Sequence, residues 1–368
     1  MNLKKSSVLC LGACLLLSGC GGGNGSSKAE QAKGIEAGDY DVQLPFKAND
    51  ARVNHKSTGS MLDAYEIGAG LMARSKDHFS PDSYAVQEGQ ILTYTKLSNP
   101  NSAKGLLKLQ SEENDIGLNP EAGKPFDTGN GMVSDKRIVT DIYELDFLKG
   151  EDLKGISVAI VLNGTFSEDA KTEAGVPYQK KTIMNDDKLR LFGEEAGRKL
   201  VNYLRNQPQV GDDMPIYVAL FSASSSDDTL PGSYIADAYF TSRSKEFSDI
   251  DEEWVMFPSA RADELDNATS SQFNNIAKSI EDFLPEDIGF IGRGKFNDKK
   301  LTELRITVHM QAKDHVECVS LIQRLNTLLT DLSDQDMVLK VDVKSNDETI
   351  AVLNRKEGSS KIIVTMLI

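Results

Sequence analysis

The residues with the most specific chemistry stand at the start of the chain, where a cysteine follows a short apolar run. Leu17, Ser18 and Gly19 come directly before Cys20. This order looks like a bacterial lipobox, in which the cysteine thiol is diacylated and the chain is cut before it. Two acyl chains attach stably because each buried CH₂ contributes about 0.8 kcal/mol. We predict lipid on Cys20 and signal-peptidase recognition of the three preceding residues; the alternative is a soluble secreted protein with an incidental cysteine.

The segment that must deliver Cys20 to a membrane is residues 1–19. Lys4 and Lys5 form a basic start, and residues 8–17 form an apolar run, which together are typical of a cleaved secretory signal. About ten apolar residues are too few for a lasting transmembrane helix, which needs roughly twenty. Residues 20–40 begin with a Gly/Ser-rich stretch, so we expect a flexible tether. The folded part is therefore expected on the extracytoplasmic face of the cell membrane.

Histidine occurs at four positions, and none of them forms a recognisable site in the sequence. The four are His55, His78, His309 and His315. None has a second histidine or a cysteine at metal-ligand spacing, so no metal site is predicted. His309 alternates with apolar residues of a predicted strand and should face solvent, while His315 should lie in the first turn of a helix. Either could act as a base only if the fold brought a nucleophile to it.

A glycine-rich segment resembles a phosphate loop without matching it. Gly289 and the pair Gly294-Lys295 have the right spacing, but Phe296 stands where Ser or Thr would ligate Mg²⁺. No clear helix follows, so the amides would lack the helix N-terminus that holds a phosphate. We interpret the segment as a glycine-rich strand or turn and predict no bound cofactor.

Two polar runs are weaker candidates. Ser224–Asp228 lacks the Gly-x-Ser-x-Gly elbow of hydrolase nucleophiles. Ser and Asp more often cap turns, although a strand end such as this one is a place where ligands bind. The acid-rich run Asp249–Glu253 lacks EF-hand spacing, so a solvated acidic face is favoured over a Ca²⁺ site. Trp254 beside it should pack in the core.

Composition limits both partners and crosslinks. The chain has 41 basic and 56 acidic residues, a net charge of −15, and loss of residues 1–19 with their two lysines lowers it to −17. Such a surface repels nucleic acid and anionic headgroups, so no nucleic-acid partner is predicted. Cys10 and Cys14 leave with the signal and Cys20 takes lipid, which leaves Cys318. An intramolecular disulfide is then excluded, and stability must come from an ordinary core.

Hydrophobic periodicity predicts an α+β fold with two mixed sheet-and-helix subdomains. Predicted helices cover residues 59–75, 139–147 and 188–205, with one more ending before Pro285 and one beginning at Asp314 with a capping box to Glu317. Predicted strands cover residues 42–46, 156–162, 214–221, 234–240, 304–310, 337–343, 349–353 and 361–368. We expect a large domain at 41–289 and a smaller one at 290–368. Their shared strand–helix–strand–strand order favours two common α+β units over a duplication, because the residues are not similar.

Six segments, in this order along the chain, resemble one protein family. The segments are Leu44–Lys47 followed by Ala51-Arg52, Leu118–Pro120, Lys154–Ala159, Pro215–Phe221, Pro231–Ala236, and Phe283–Pro285 continuing to Gly289–Gly292. Together with the lipobox they are similar to the CamS-type sex-pheromone lipoproteins of Gram-positive bacteria. The resemblance covers nearly the whole chain.

The resemblance implies a function for the signal peptide itself. In this family a short apolar peptide excised from the signal sequence induces conjugative plasmid transfer in a neighbouring cell. Carried over by position, that peptide is the heptapeptide Ala13, Cys14, Leu15, Leu16, Leu17, Ser18 and Gly19. An uncharged apolar heptamer can partition into a membrane and fit an apolar receptor groove. The alternative is a signal remnant that is degraded, as in other lipoproteins.

The folded domain has two competing interpretations. Long polar loops, the tether and the scarcity of catalytic residues favour a binding or interaction module for a peptide or cell-envelope ligand, and we predict no enzyme. The partners expected besides that ligand are membrane lipid, through Cys20, and the lipoprotein-processing enzymes. The alternative is an extracytoplasmic cell-envelope enzyme such as a hydrolase. A deep pocket with convergent carboxylates or a buried histidine would favour the enzyme, whereas an exposed strand edge would favour partner binding.

Overall fold

The computed structural model describes residues 30–57, 61–224, 229–241, 245–283, 288–311 and 314–367. The predicted signal peptide, Cys20 and the heptapeptide Ala13–Gly19 lie outside the described residues. So do residues 20–29 of the tether and residues 225–228 of the Ser/Asp run. Within the described part of the chain, no helix is both long and apolar enough to cross a membrane.

The described residues form twenty strands and seven α-helices. The strands are β1 (Gln31–Ala32), β2 (Asp41–Gln43), β3 (Ala85–Glu88), β4 (Leu109–Gln110), β5 (Asn119–Glu121), β6 (Pro125–Asp127), β7 (Met132–Ser134), β8 (Val139–Lys149), β9 (Asp152–Leu162), β10 (Thr165–Lys171), β11 (Pro177–Ile183), β12 (Ile216–Ser222), β13 (Ser233–Phe240), β14 (Ser248–Asp249), β15 (Glu252–Phe257), β16 (Ile288–Asn297), β17 (Lys300–Met310), β18 (Val338–Ser345), β19 (Glu348–Arg355) and β20 (Ile363–Met366). The helices are α1 (Arg52–Ser57), α2 (Met61–Ser75), α3 (Tyr94–Ser98), α4 (Asp186–Arg205), α5 (Ala260–Leu265), α6 (Asn267–Glu281) and α7 (His315–Leu328), and a 3₁₀ turn at Leu329–Asp331 follows α7.

The first unit is built on an eight-stranded mixed sheet in the order β1-β2-β3-β8-β9-β12-β13-β14. Its central strand β9 pairs antiparallel with β8 and parallel with β12, and its apolar run is buried on both faces as predicted. Alternate residues of a strand point to opposite faces. Ile156, Val158 and Ile160 therefore belong to the core beneath α4, whereas Ala159 and Val161 belong to the core beneath α2.

The second unit is built on a six-stranded sheet in the order β15-β16-β17-β18-β19-β20. One face of it packs against α6 and α7, through fully buried residues such as Phe273 and Leu325. Helix α7 begins with the predicted capping box, in which Asp314 accepts the N–H of Glu317 and Glu317 accepts that of Asp314. Two mixed sheets, each with packed helices, confirm the α+β class.

The helix predicted at residues 139–147 is wrong, because this segment is strand β8. It pairs antiparallel along its length with β9, and the connection turns at Gly150, whose φ of 66° favours glycine. The apolar residues Val139, Ile142 and Leu145 are three positions apart, which imitates a helical face. Long-range pairing with β9 overrides this local period.

The glycine-rich segment Gly289–Phe296 is part of strand β16, which confirms the strand interpretation. The glycines are needed for packing against aromatic rings. A Cβ on Gly294 would lie 2.6 Å from the ring of Phe257, and one on Gly292 would lie 2.8 Å from the ring of Phe273. No side chain larger than hydrogen fits there without a shift of these rings.

The second unit begins earlier in the chain than the expected boundary at residues 289 and 290. Strand β15 pairs along its whole length with β16, and Phe273 and Ile280 of α6 belong to the core of the second sheet. The expected boundary therefore falls inside β16. We place the division between Asp249 and Glu252, because the end of α6 is a helix-to-strand connection within the second unit.

Candidate functional site

A pocket lies beside strand β8 at the point where the neighbouring strands stop. Strand β3 pairs with Leu145–Leu148 of β8, and β2 ends at Gln43. Beyond this point helices α1 and α2 lie alongside β8 and leave a cavity of about 360 Å³, a size found among small-molecule sites. We call it the α1–α2 pocket. Its apolar wall consists of Val42, Phe46, Leu71, Met72, Val86 and Leu145.

His55 of α1 lines this pocket and is held in one orientation. Its Nδ1 lies 2.6 Å from Oδ2 of Asp141, which is buried in β8. The imidazole also stacks on the ring of Tyr143, with the ring centroids 3.9 Å apart and the planes 15° apart. A carboxylate on one ring nitrogen selects the tautomer and leaves the other nitrogen, Nε2, for a ligand. Burial, followed by the charges of Asp141 and Asp63, raises the pKa of Tyr143, so its hydroxyl stays protonated.

Two buried acids of β8 fix the loop that follows β3. The carboxylate of Glu144 accepts the N–H groups of Leu92 at 2.7 Å and Ile91 at 3.2 Å. Asp146, two residues on, accepts the N–H of Gln90 at 3.0 Å. Burial, with the charge of Asp146, raises the pKa of Glu144 well above its usual range, and burial raises the pKa of Asp146 to about 6. Two acids this close and this dry share a proton rather than ionise together.

The loop after strand β12 is anchored by a buried carboxylate of α2. Asp63 accepts the N–H of Ser224 at 2.9 Å, its hydroxyl at 3.0 Å, and the N–H of Gly232 at 2.7 Å. The Ser224 hydroxyl therefore donates to an acid, which fits the turn-capping interpretation rather than a nucleophile. A cavity of about 380 Å³ adjoins this loop at the end of β12, with Trp254 in its wall.

The face of α2 that looks toward the second sheet forms ion pairs. Glu66 pairs with Arg305 at 2.6 Å, and Arg74 pairs with Glu252 at 2.6 Å. Lys295 of the glycine-rich strand lies 3.2 Å from Glu252. Glu252 is only 7% exposed, so the expectation of a solvated acidic face is wrong at this position. Its burial is compensated by two cations.

The ring of Trp254, on strand β15, is covered by a cation from strand β17. The guanidinium of Arg305 lies 4.6 Å from the Trp254 ring centroid, a distance typical of a cation–π contact. Trp254 itself is buried, as predicted. The contact joins the ion pairs of α2 to the second sheet, so this region holds the two units together.

The other histidines have separate surroundings. His78 stacks on Tyr239 with centroids 4.2 Å apart, and burial lowers its pKa. His309 is exposed on its strand as predicted. His315 is the first residue of α7 and lines a groove of about 490 Å³ beside Val364 and Met366 of the edge strand β20. Among the residues that the structure describes, no three metal-binding side chains are grouped closely enough to hold a metal ion.

Comparison with known proteins identifies the family. The family profile described as "CamS sex pheromone cAM373 precursor" matches residues 46–361. The chain belongs to the CamS family. Its match includes most of the α1–α2 pocket, from Phe46 to Leu145, and all strands of the second sheet except β20. No curated protein matches the chain in sequence.

Two solved structures share the fold of this CamS-family chain. The crystal structure of a sex pheromone precursor from Lactobacillus salivarius subsp. salivarius UCC118 is 23% identical, with a TM-score of 0.79 over 92% of this chain and 99% of that one. The structure of the C-terminal domain of the sex pheromone staph-cAM373 precursor from Staphylococcus aureus is 21% identical, with a TM-score of 0.66 over 83% of this chain and 96% of that one. The predicted family and fold class are thereby confirmed.

Sequence reasoning did not single out the α1–α2 pocket. Asp141 and Tyr143 lie in the segment that periodicity assigns to a helix, so their meeting with His55 could not be foreseen. The available signal was local: Arg52 and His55 are three residues apart, which places them on one face of a helix. Both line the pocket.

Proposed function

We propose that this CamS-family protein is a membrane-anchored extracytoplasmic lipoprotein whose signal peptide releases the heptapeptide Ala13–Gly19 as an inducer of conjugative plasmid transfer. The observation that carries the proposal is the order Leu17-Ser18-Gly19-Cys20 in a chain of this family. Cleavage before Cys20 frees an uncharged apolar remnant, and two acyl chains on Cys20 hold the remainder at the membrane.

In this proposal the folded domain is a binding module and the α1–α2 pocket is its ligand site. The pocket combines an apolar wall with an oriented imidazole at His55, which is the usual composition of a small-molecule site. A Gly-rich tether of twenty residues would let the domain reach about 25 Å from the lipid. The module would thus take its ligand from the outer membrane surface or the adjacent cell wall.

An envelope enzyme such as a hydrolase is the second candidate, and the pair His55–Asp141 is the observation that favours it. An oriented imidazole beside a cavity is a suitable general base. The acids Glu144 and Asp146 are already engaged by backbone N–H groups, which leaves them without the open position that an acid catalyst requires. Release of soluble fragments from purified cell wall by residues 21–368, and its loss in His55→Gln, would establish the enzyme.

The pheromone proposal is tested with the peptide and the precursor separately. Synthetic Ala13–Gly19 should induce plasmid-transfer aggregation in responder cells, whereas a heptapeptide of the same composition in scrambled order should not. Inactivity at all tested doses would contradict the pheromone role.

The lipoprotein proposal is tested by Cys20→Ala. This variant should accumulate as an uncut precursor without radiolabelled palmitate, because the thiol is the acylated atom. A Cys10→Ala variant is the matched control and should mature normally. Normal maturation of Cys20→Ala would overturn the lipid anchor.

A further inference from the structure

We infer that the α1–α2 pocket binds a carboxylate carried on a compact apolar body, with Arg52 and His55 receiving the carboxylate. The inference rests on the proposed binding role of the folded domain and names its ligand class. Its basis is a difference between the donors and the acids that line the pocket: Arg52 and His55 keep open hydrogen-bond donors, whereas both oxygens of Glu144 and one oxygen of Glu88 already accept backbone N–H groups.

The two side chains that would receive the carboxylate come from one face of α1. Arg52 and His55 are three residues apart, so their side chains are neighbours on the helix surface, and both line the cavity. His55 is committed to Asp141 through Nδ1, which leaves Nε2 toward a ligand. Within the described part of the chain, Arg52 has no ion-pair partner. A guanidinium matches a carboxylate with two parallel hydrogen bonds, which makes it the preferred receptor for that group.

The acids of the wall offer much less to a cation. Glu88 accepts the N–H of Asn49 through Oε2 at 2.5 Å. Both carboxylate oxygens of Glu144 accept backbone N–H groups, and burial raises the pKa of Glu144 well above its usual range, which disfavours its charged form. An ammonium ligand would be repelled by the guanidinium of Arg52, and Glu88 would offer it one carboxylate oxygen, Oε1, besides the one that accepts the N–H of Asn49. An anionic head is therefore favoured over a cationic one.

The remainder of the ligand is set by the apolar wall. Leu71 and Met72 of α2 face Val86 of β3 and Leu145 of β8 around the cavity. Phe46 stands at the rim and is 58% exposed, an apolar surface that a bound ligand would cover. A cavity of about 360 Å³ is near the lower end of small-molecule sites. It suits a medium alkyl chain or one or two apolar side chains.

Calorimetric titration of residues 21–368, which contain every described residue, tests the ligand class with matched probes. Octanoate, octanol and octylamine have the same chain and differ in charge. Octanoate should bind about tenfold or more tightly than either of the others, since hydrogen bonds to charged groups are worth that much. Equal affinity of all three probes would overturn the carboxylate inference but would still support the proposal that the domain is a binding module. Binding of none overturns both, and leaves the pheromone proposal untouched.

The residues are tested by Arg52→Gln, which keeps a polar side chain and removes the guanidinium with its charge. It should weaken octanoate about tenfold or more and leave octanol unchanged. Arg324→Gln, at an exposed position of α7, is the matched control and should change neither. Unchanged octanoate affinity in a folded Arg52→Gln protein, checked by circular dichroism, overturns the assignment.

Two natural sources share this chemistry, a fatty acid and the C-terminus of an apolar peptide. Acetyl-Leu-Leu and its C-terminal amide distinguish them. Tighter binding of acetyl-Leu-Leu than of octanoate, with loss in the amide, assigns the site to a peptide terminus. Tighter binding of octanoate assigns it to a fatty acid. Either result supports a carboxylate receptor at Arg52.

Discussion

The two units use the same architecture and differ in what they bury. The first unit buries a set of acids in or beside its central strands and α2, namely Asp63, Glu66, Asp141, Glu144 and Asp146. In the second unit, among the described residues outside the contact with α2, the buried charged side chain is Arg355. Its guanidinium donates to the carbonyl of Leu332 at 2.8 Å. The first sheet therefore has acids buried beside its central strands, and the second has an almost entirely apolar core.

Burial of an acid costs free energy of folding, so a cluster of buried acids in one unit indicates a functional role for that unit. An ionised carboxylate without partners would be destabilising by several kcal/mol. Here Asp63, Asp141 and Glu144 each accept hydrogen bonds that fix a loop or an imidazole around a cavity. In the first unit the cost of desolvating these carboxylates is offset by hydrogen bonds that fix the shape of a pocket. Outside its contact with α2, the second unit contains no comparable cluster of buried acids within its described residues.

Helix α2 connects the two units. Leu71 and Met72 lie in the wall of the α1–α2 pocket, while Glu66 and Arg74 of the same helix pair with Arg305 and Glu252 of the second sheet. A rigid second unit would thus fix the position of α2 and with it one wall of the pocket. We therefore expect substitutions in the apolar core of the second unit to lower stability. Substitutions near the buried acids of the first unit should instead alter the pH dependence of stability and the binding of a ligand.

The largest effect is expected from Phe257→Ala in the second unit. Phe257 is fully buried, its ring centroid lies 5.6 Å from that of Phe273 in a tilted arrangement, and Gly294 lies against its ring. Removal of a ring from such a core destabilises by about 3–5 kcal/mol. Urea unfolding followed by tryptophan fluorescence reports the change, since Trp254 lies in the same sheet. Ile291→Ala, on the exposed side of β16, is the control; equal losses in both variants would contradict a close-packed core.

The next effect is a pH dependence confined to the first unit. The folded-state pKa of Asp146 is raised to about 6 from 3.8, so between these values the folded chain holds a proton that the unfolded chain has lost. Stability should therefore fall as pH rises from about 4 to 6, by up to about 1.4 kcal/mol for each pH unit. Urea unfolding at several pH values in this window measures the slope.

Asp146→Asn isolates this contribution. The amide oxygen can still accept the N–H of Gln90, and the amide carries no titrating proton, so the slope should flatten. Asp342→Asn, at an exposed position of the second sheet, is the matched control and should keep the original slope. If the stability of Asp146→Asn fell with pH as steeply as that of the wild type, the buried acids of the first unit would not be the source of the pH dependence.

Local patterns predicted those elements whose periodicity has only one interpretation. A window of about fifteen residues is enough to identify each of three features: the buried run of β9, the amphipathic α4 and the capping box of α7. Strand β8 was beyond that range, because its apolar spacing imitates a helix and only its pairing with β9 decides the outcome. The pocket depends on β3 ending at Glu88 while β8 continues, a difference between two strands more than fifty residues apart. Its histidine was visible, but the partners Asp141 and Tyr143 were not.

The smallest effect is expected from Asp314→Ala. This variant tests whether the second unit influences the pocket in any way other than through the stability of the chain. Loss of the α7 cap should destabilise the chain by about 1 kcal/mol, because the N–H of Glu317 loses its acceptor. Glu348→Ala, exposed at the start of β19, is the control and should have little effect. Octanoate affinity measured under native conditions should not change in either variant, since a loss of this size leaves nearly all molecules folded. A weaker affinity in Asp314→Ala would mean that α7 acts on α2 through the second sheet, and the separation of a stable unit from a binding unit would fail.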